Sequence, residues 1–179
     1  VVVISTDGAE VADFVAPAGA VIQDKALGTG HAALAARDAL AGFDGDVLIL
    51  YGDVPLITAA TLSALLDARR AREAPAVVVL GFRPEAPNEY GRLVTDKAGG
   101  LERIVEFGDA DKTERAIEMC NAGPMAVDGA VLFDLLDAIG KDNAKGEYYL
   151  TDIVAAARDK GLGCATVEVA DAGEVMGVN

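Results

Sequence analysis

Val47-Leu48-Ile49-Leu50-Tyr51-Gly52-Asp53-Val54-Pro55-Leu56 is the strongest structural signal in the chain. Four consecutive large apolar residues without polar alternation predict a strand buried on both faces, as in a parallel sheet covered by helices. The strand ends in an acid. In open α/β sheets ligands gather outside the carboxyl ends of strands, which makes Asp53 a candidate for meeting a metal or substrate. Gly52 permits close approach of a ligand to the backbone, and Pro55 ends the ladder.

Working outward, Val1–Ser5, Ala20–Gln23, Ala76–Phe82, Met119–Val127 and Cys164–Val169 read as further strands. Helices are expected over Thr29–Leu40, from the N-cap Thr58 to about Glu73, over Asp111–Glu118, Gly129–Ile139 and Tyr149–Lys160. Between Arg83 and Phe107 the pattern changes. Pro84, Pro87, Asn88 and Gly91 crowd together, and alternating stretches around Gly99-Gly100 predict a β-hairpin inserted beside the main sheet. The fold expected is α/β: a Rossmann-like mixed, mostly parallel sheet with flanking helices, of the nucleotide-diphospho-sugar transferase type. One domain accommodates all 179 residues.

With 52% hydrophobic residues and a mean hydropathy of +0.30, the chain can build a sizeable core. No apolar run approaches the roughly 18 residues that span a bilayer, so no membrane is expected. The 29 acidic and 15 basic residues leave a net charge of −14, which repels nucleic acid. An anionic ligand would need local help from a divalent cation and a few donors. Cys120 and Cys164 lack metal spacing and read as reduced, buried thiols of a cytoplasmic protein. The first residues read as a strand interior without an initiating Met, so a preceding segment is expected.

Gln23-Asp24-Lys25-Ala26-Leu27-Gly28-Thr29-Gly30-His31-Ala32 is a strand, a glycine-bearing loop and a helix start, able to present N–H groups to an anion or a base edge, or simply a tight turn. The same residues satisfy a dinucleotide fingerprint, Gly28-x-Gly30-x-x-Ala33, with Asp53 roughly 20 residues on after a strand. That leaves an NAD-dependent oxidoreductase as a rival reading, although Asp24–Leu27 separates the loop from its strand. Asp53 could hold Mg²⁺ with one further oxygen, for which the Asn179 amide is available. His31, the only histidine, reads as a packing or capping residue. Gly146 to Asp152 puts Tyr148, Tyr149 and Thr151 at a helix start, which suits core packing and a sugar phosphate equally.

Taken in order, Gln23 with Leu27-Gly28-Thr29-Gly30-His31-Ala32, then Tyr51 to Leu56, Tyr90-Gly91-Arg92, Ile104-Val105-Glu106, Asn121-Ala122-Gly123, Gly146 to Asp152 and Gly177-Val178-Asn179 cover nearly the whole chain. This series resembles the uridylyltransferase domain of the GlmU family, bifunctional N-acetylglucosamine-1-phosphate uridylyltransferases and glucosamine-1-phosphate acetyltransferases. The resemblance implies synthesis of UDP-N-acetylglucosamine from UTP and N-acetylglucosamine 1-phosphate with release of pyrophosphate, in the cytoplasm and in service of peptidoglycan and lipopolysaccharide synthesis. It implies that Gln23, Gly28 and Thr29 read the uracil. Asp53 and Asn179 would hold Mg²⁺. Tyr51, Gly52, Gly91, Glu106 and Asn121 would surround the amino sugar, with Tyr149 and Thr151 near its phosphate.

Three departures qualify that expectation. The family's opening strand and Ala-Gly-x-Gly-Thr-Arg loop with its following lysine, which cradle the triphosphate, do not occur in residues 1–179. The C-terminal left-handed β-helix, which carries the acetyltransferase and makes the full-length enzyme a homotrimer, is likewise not in the sequence. Ala122 stands where the family has Thr. Residues 1–179 are therefore expected to be a partial uridylyltransferase domain with weak or no transfer, and a non-catalytic UDP-sugar-binding remnant is the remaining alternative.

Overall fold

A computed structural model describes residues 1–178. Its centre is β4 (Val77–Phe82), six residues all buried, with the long β7 (Cys120–Asp128) antiparallel on one side and β8 (Cys164–Glu168) parallel on the other. A second strand, β3 (Asp46–Ile49), lies antiparallel to the far edge of β7, pairing Asp46–Ile49 with Asp128–Met125. The hairpin β5 (Arg92–Thr95) and β6 (Leu101–Val105) continues the sheet beyond β7's other end, where Arg92 faces Cys120. Because β3, β4 and β5 each oppose β7 and β8 follows β4, these four strands share one direction. β6 and β7 run against them, which makes the sheet mixed.

β1 (Val2–Ser5) and β2 (Ala20–Gln23) form a separate parallel pair joined by α1 (Ala9–Phe14), a helix the sequence pattern did not reveal. α2 (Thr29–Ala35) follows. It is shorter than expected, giving way to a 3-10 turn at Asp38–Leu40. α3 (Ala59–Arg69) begins where its cap predicts, the Thr58 hydroxyl accepting from the N–H of Thr61 at 3.3 Å. The acidic segment reduces to α4 (Lys112–Arg115), with Asp111 and Glu114 forming a reciprocal cap. α5 (Gly129–Leu136) buries Leu132, Leu135 and Leu136. α6 (Ile153–Asp159) starts only after a 3-10 turn at Leu150–Asp152.

The core lies on both faces of the sheet. Val77, Val79, Met125 and Val127 meet α5 and α6, while Val78, Leu80, Phe82 and Ala126 meet α3 through Leu65. Alternate residues of β4 therefore serve opposite layers, and a doubly covered strand reads as an unbroken apolar run. The Val47–Leu50 run gives the same pattern but a different outcome. β3 is half-buried and paired only with β7 among the described strands, and Leu50 is 46% exposed. A cleft of about 710 Å³ borders it, with Val1–Val3 on one wall and Val47–Gly52 on the other.

Arg69 fixes the base of this arrangement. From the last turn of α3 it reaches Asp128 at 2.5 Å and Asp46 at 3.5 Å, tying the helix to β7 and β3 together. Both cysteines are free and buried, as expected from their spacing.

Candidate active site

The sheet contains a break in pairing, and five of the expected site residues, Tyr51, Gly91, Glu106, Asn121 and Thr151, lie around it. One edge of β7 is paired with β5 at Cys120 and with β3 from Met125 onward. Between those points Asn121, Ala122, Gly123 and Pro124 have no strand partner on that edge among the described residues. The carboxyl end of β3, running on into Leu50–Asp53, and the amino end of β5 at Gly91 both open into this gap.

Local chemistry holds the gap open. The Asn121 N–H donates to the Gly91 carbonyl at 2.8 Å, and the Asn121 side-chain oxygen accepts from the Gly123 N–H at 3.0 Å. Gly123 has φ +103°, and a Cβ there would stand 3.0 Å from the Tyr51 ring. Glycine thus lets Tyr51 lie on the strand itself. A Cβ at Gly91 would meet the Glu106 carboxylate at 3.2 Å, and Glu106 in turn accepts from the Thr151 hydroxyl at 3.1 Å. Tyr51, Gly91, Glu106, Asn121 and Thr151 are brought together from five separate segments.

The electrostatics agree with that geometry. Burial, and after it the Glu106 charge, push the Tyr51 hydroxyl up to about 12; the neighbouring Thr29 hydroxyl works against this, and Asp53 adds a smaller upward push. Tyr51 is thus a neutral hydrogen-bonding group at any ordinary pH. Tyr149 is raised by burial and by Asp109, with Glu106 and Glu147 contributing, against a lowering bond at Lys145. Asp152 is raised by burial and then by Glu106 and Asp109. Asp109 falls in none of the motifs, and Asp152 enters them only as the last residue of Gly146 to Asp152.

The Gln23–Thr29 loop docks on the same region. Gly30 N–H donates to the Tyr148 carbonyl at 2.8 Å, Tyr148 N–H to the Leu27 carbonyl at 2.9 Å, and Leu150 N–H to the Thr29 hydroxyl at 2.9 Å. A Cβ on Gly28, at φ +110°, would stand 2.5 Å from the Tyr148 carbonyl oxygen. Gly28 is therefore required for contact with Tyr148, which accounts for the glycine without a dinucleotide. Gln23 lies at the end of β2 and donates to the Gly28 carbonyl at 3.1 Å.

Asp53 is exposed one residue past Gly52, in a turn closed by Val54 N–H and the Tyr51 carbonyl at 3.3 Å. The C-terminal segment comes to it: Val178 N–H donates to the Asp53 carbonyl at 2.8 Å, and a Cβ on Gly177 would lie 3.9 Å from Asp53 Oδ2. Glu174 anchors this segment to the start of α3, accepting from Thr61 Oγ1 at 2.5 Å and from Thr58 Oγ1 at 2.9 Å. Those bonds, led by that from Thr61, hold the Glu174 carboxyl below its usual range. Asn179, the other expected metal ligand, lies outside the described residues.

Arg92 is the feature that sequence reasoning missed. It is 3% exposed with no carboxylate partner among the described residues. Its guanidinium instead donates to the carbonyls of Tyr90, Asn88 and Arg115, to Asn88 Oδ1 and to Cys120 Sγ, and it faces the Phe107 ring at 5.4 Å. It joins the Asn88–Gly91 segment to β7 directly behind Asn121. Its place in Tyr90-Gly91-Arg92 was visible, but nothing local distinguishes a buried hub from a surface strand residue.

Comparison with known proteins places this architecture. Residues 1–119 match the model of the MobA-like NTP transferase domain. Over its whole length the chain is 63% identical to the bifunctional protein GlmU of Rhodospirillum rubrum and 54% identical to that of Paramagnetospirillum magneticum, covering 40% and 39% of those proteins. It thus spans about two fifths of the length of these relatives, and the resemblance read from the motifs is borne out. The structure is also similar to a UDP-glucose pyrophosphorylase complexed with UDP-glucose, with a TM-score of 0.63 at 16% identity over 81% of this chain and 55% of that one. A UDP-glucose pyrophosphorylase from Acinetobacter baumanii gives 0.61 at 17% identity, over 85% and 52%. These two support the expected nucleotide-sugar transferase fold. No helix among the described residues is long and apolar enough to cross a membrane. The matched model covers well over half of the sequence, and the chain belongs to the MobA-like NTP transferase domain family.

Proposed function

We propose that this chain carries the nucleotide-sugar site of a uridylyltransferase that joins UTP and N-acetylglucosamine 1-phosphate into UDP-N-acetylglucosamine, releasing pyrophosphate. The observation that carries the reading is the gap on β7, where Tyr51, Gly91, Glu106, Asn121 and Thr151 converge. An acetamido sugar offers hydroxyls, an amide N–H and a carbonyl. The gap offers a carboxylate, a carboxamide and a neutral phenol to meet them. The extensive identity to GlmU proteins supports the choice of sugar and of uridine.

The chain's residues act by positioning. The Gln23–Thr29 loop, fixed against Tyr148, holds the base, and the gap holds the sugar. The phosphate oxygen of the sugar then lies in line with the α-phosphorus of UTP and pyrophosphate departs opposite, without a protein nucleophile. Glu106, locked by Thr151, orients the sugar, and the wholly protonated Tyr51 donates or accepts without adding charge.

The donors present fit a divalent cation, and Mg²⁺ in particular. Asp53 supplies a hard, exposed carboxylate in the turn that follows β3, and no cluster of three or more His, Cys, Asp or Glu that could hold a metal occurs among the described residues. A single carboxylate completed by phosphates and water suits Mg²⁺ better than Zn²⁺. When bound, the cation neutralises charge building up on the phosphates. Asp53, with Asn179 as its expected companion, would hold it.

Asp53→Ala in the complete enzyme should lower turnover by about 100-fold or more while leaving the circular dichroism spectrum unchanged. Wild-type rates in that variant would remove Asp53 from the metal site. Failure of the unaltered chain to bind UDP-N-acetylglucosamine in Mg²⁺-containing buffer by calorimetry would overturn the substrate assignment.

A further inference from the structure

Gln23 is expected to read the nucleobase, and a carboxamide can present either a donor or an acceptor. Two contacts resolve which. Its terminal nitrogen lies 3.1 Å from the Gly28 carbonyl oxygen, so the group there must be the NH₂. The same nitrogen lies 3.1 Å from His31 Nδ1. A donor facing Nδ1 requires that nitrogen to be the unprotonated one, which places the imidazole proton on Nε2, on the side of Asp24 Oδ1 at 4.0 Å. Both amide hydrogens are then committed within the protein. Among the described residues no donor reaches Gln23 Oε1.

We infer that His31 is a positioning residue for base selection: by accepting from the Gln23 amide it fixes that side chain with its oxygen outward, so that the site takes a pyrimidine bearing an N3–H, as uracil does, and disfavours cytosine, whose N3 is an acceptor. The inference rests on the nucleotide reading above and adds to it the atom that discriminates. Without His31 only the Gly28 contact remains. That single contact, worth about 1 kcal/mol, opposes the amide's turning over far more weakly than the pair does, so the flipped form that offers its NH₂ to cytosine becomes accessible.

The test uses calorimetric titration of UDP and of CDP, in the same Mg²⁺ buffer, into the wild-type chain and two variants. Wild type should prefer UDP by about tenfold or more, since a site built around one donor–acceptor pair rejects the base that reverses it. His31→Leu should bring the two affinities to within about threefold of one another, mainly by weakening UDP. His31→Asn, whose side-chain oxygen can stand where Nδ1 stands, should restore most of the preference. Full UDP preference in His31→Leu would overturn the inference while leaving the nucleotide reading intact. Binding of neither nucleotide by wild type would overturn that reading and this one with it. An independent check needs no variant: His31 is the only histidine, so ¹⁵N NMR above pH 8 reports its tautomer alone. Protonation at Nε2 is expected, and protonation at Nδ1 would contradict the contact.

Discussion

The β4–β7–β8 half of the molecule and the β1–α1–β2 unit are built from similar aliphatic strands, yet they are held very differently. Val77, Val78, Val79 and Leu80 are wholly buried between two helical layers, while Ile4 alone is buried in β1 and Ile22 in β2 is 60% exposed. Phe14, at the end of α1, is 90% exposed. A valine-rich strand therefore does not by itself create a core; elements on both faces do. The candidate site lies where the two regimes meet. Its sugar side (Asn121, Glu106, Gly91) belongs to the packed sheet, and its base side (Gln23, Gly28, Thr29) follows β2.

Substitution should expose that contrast most strongly in the core. Leu80→Ala is expected to cost about 2–5 kcal/mol in urea denaturation through lost contacts and a residual cavity. Phe14→Ser should stay within about 0.5 kcal/mol, because an exposed ring has little to lose. Equal costs would mean that the β1–α1–β2 unit is packed more firmly than its exposure indicates. Arg92→Met should come next, at about 2–3 kcal/mol, since it leaves carbonyls of the Asn88–Gly91 segment unpaired behind the site. A loss of UDP-N-acetylglucosamine affinity larger than any loss of UDP affinity would place its effect on the sugar side.

The smallest effect concerns Asp152. Its folded-state carboxyl is raised above 3.8, first by burial and then by Glu106 and Asp109. Folding therefore favours the protonated form. That favourable contribution is complete below pH 3.8 and is lost as pH rises through the higher folded-state value. Asp152→Asn should raise Tm modestly near neutral pH and converge with wild type in acid. A lower Tm at neutral pH would show that the ionised carboxylate stabilises the fold.

Much of this was legible because it is local. The Thr58 cap, the Gly99-Gly100 hairpin and the uninterrupted run of β4 each state their structure within a few residues. So did the motifs that supply Tyr51, Glu106 and Asn121, which the fold brings together beside the gap on β7. What escaped the sequence depends on distant partners. The Val47–Leu50 run looks identical whether one or both edges are paired. Burial depends on what covers its faces, and in the fold β3 is only half-buried. The role of Arg92 depends on carbonyls as far away as Arg115, and that of His31 on a glutamine eight residues earlier reaching back across a loop. α1 is short, and its apolar residues Val11 and Phe14 are both exposed, so it carries no amphipathic stripe to read.

A crystal structure of the chain with UDP-N-acetylglucosamine and Mg²⁺ tests the central assignment most directly, because the molecule offers a second, unrelated cleft of about 650 Å³ lined by Arg83–Tyr90 and Met176. Density for the amino sugar at the β7 gap, touching Glu106 and Asn121, with uracil on Gln23 and the cation on Asp53, is the expected result. The sugar nucleotide seated in the Arg83–Tyr90 cleft, with the gap on β7 left to water, would contradict it.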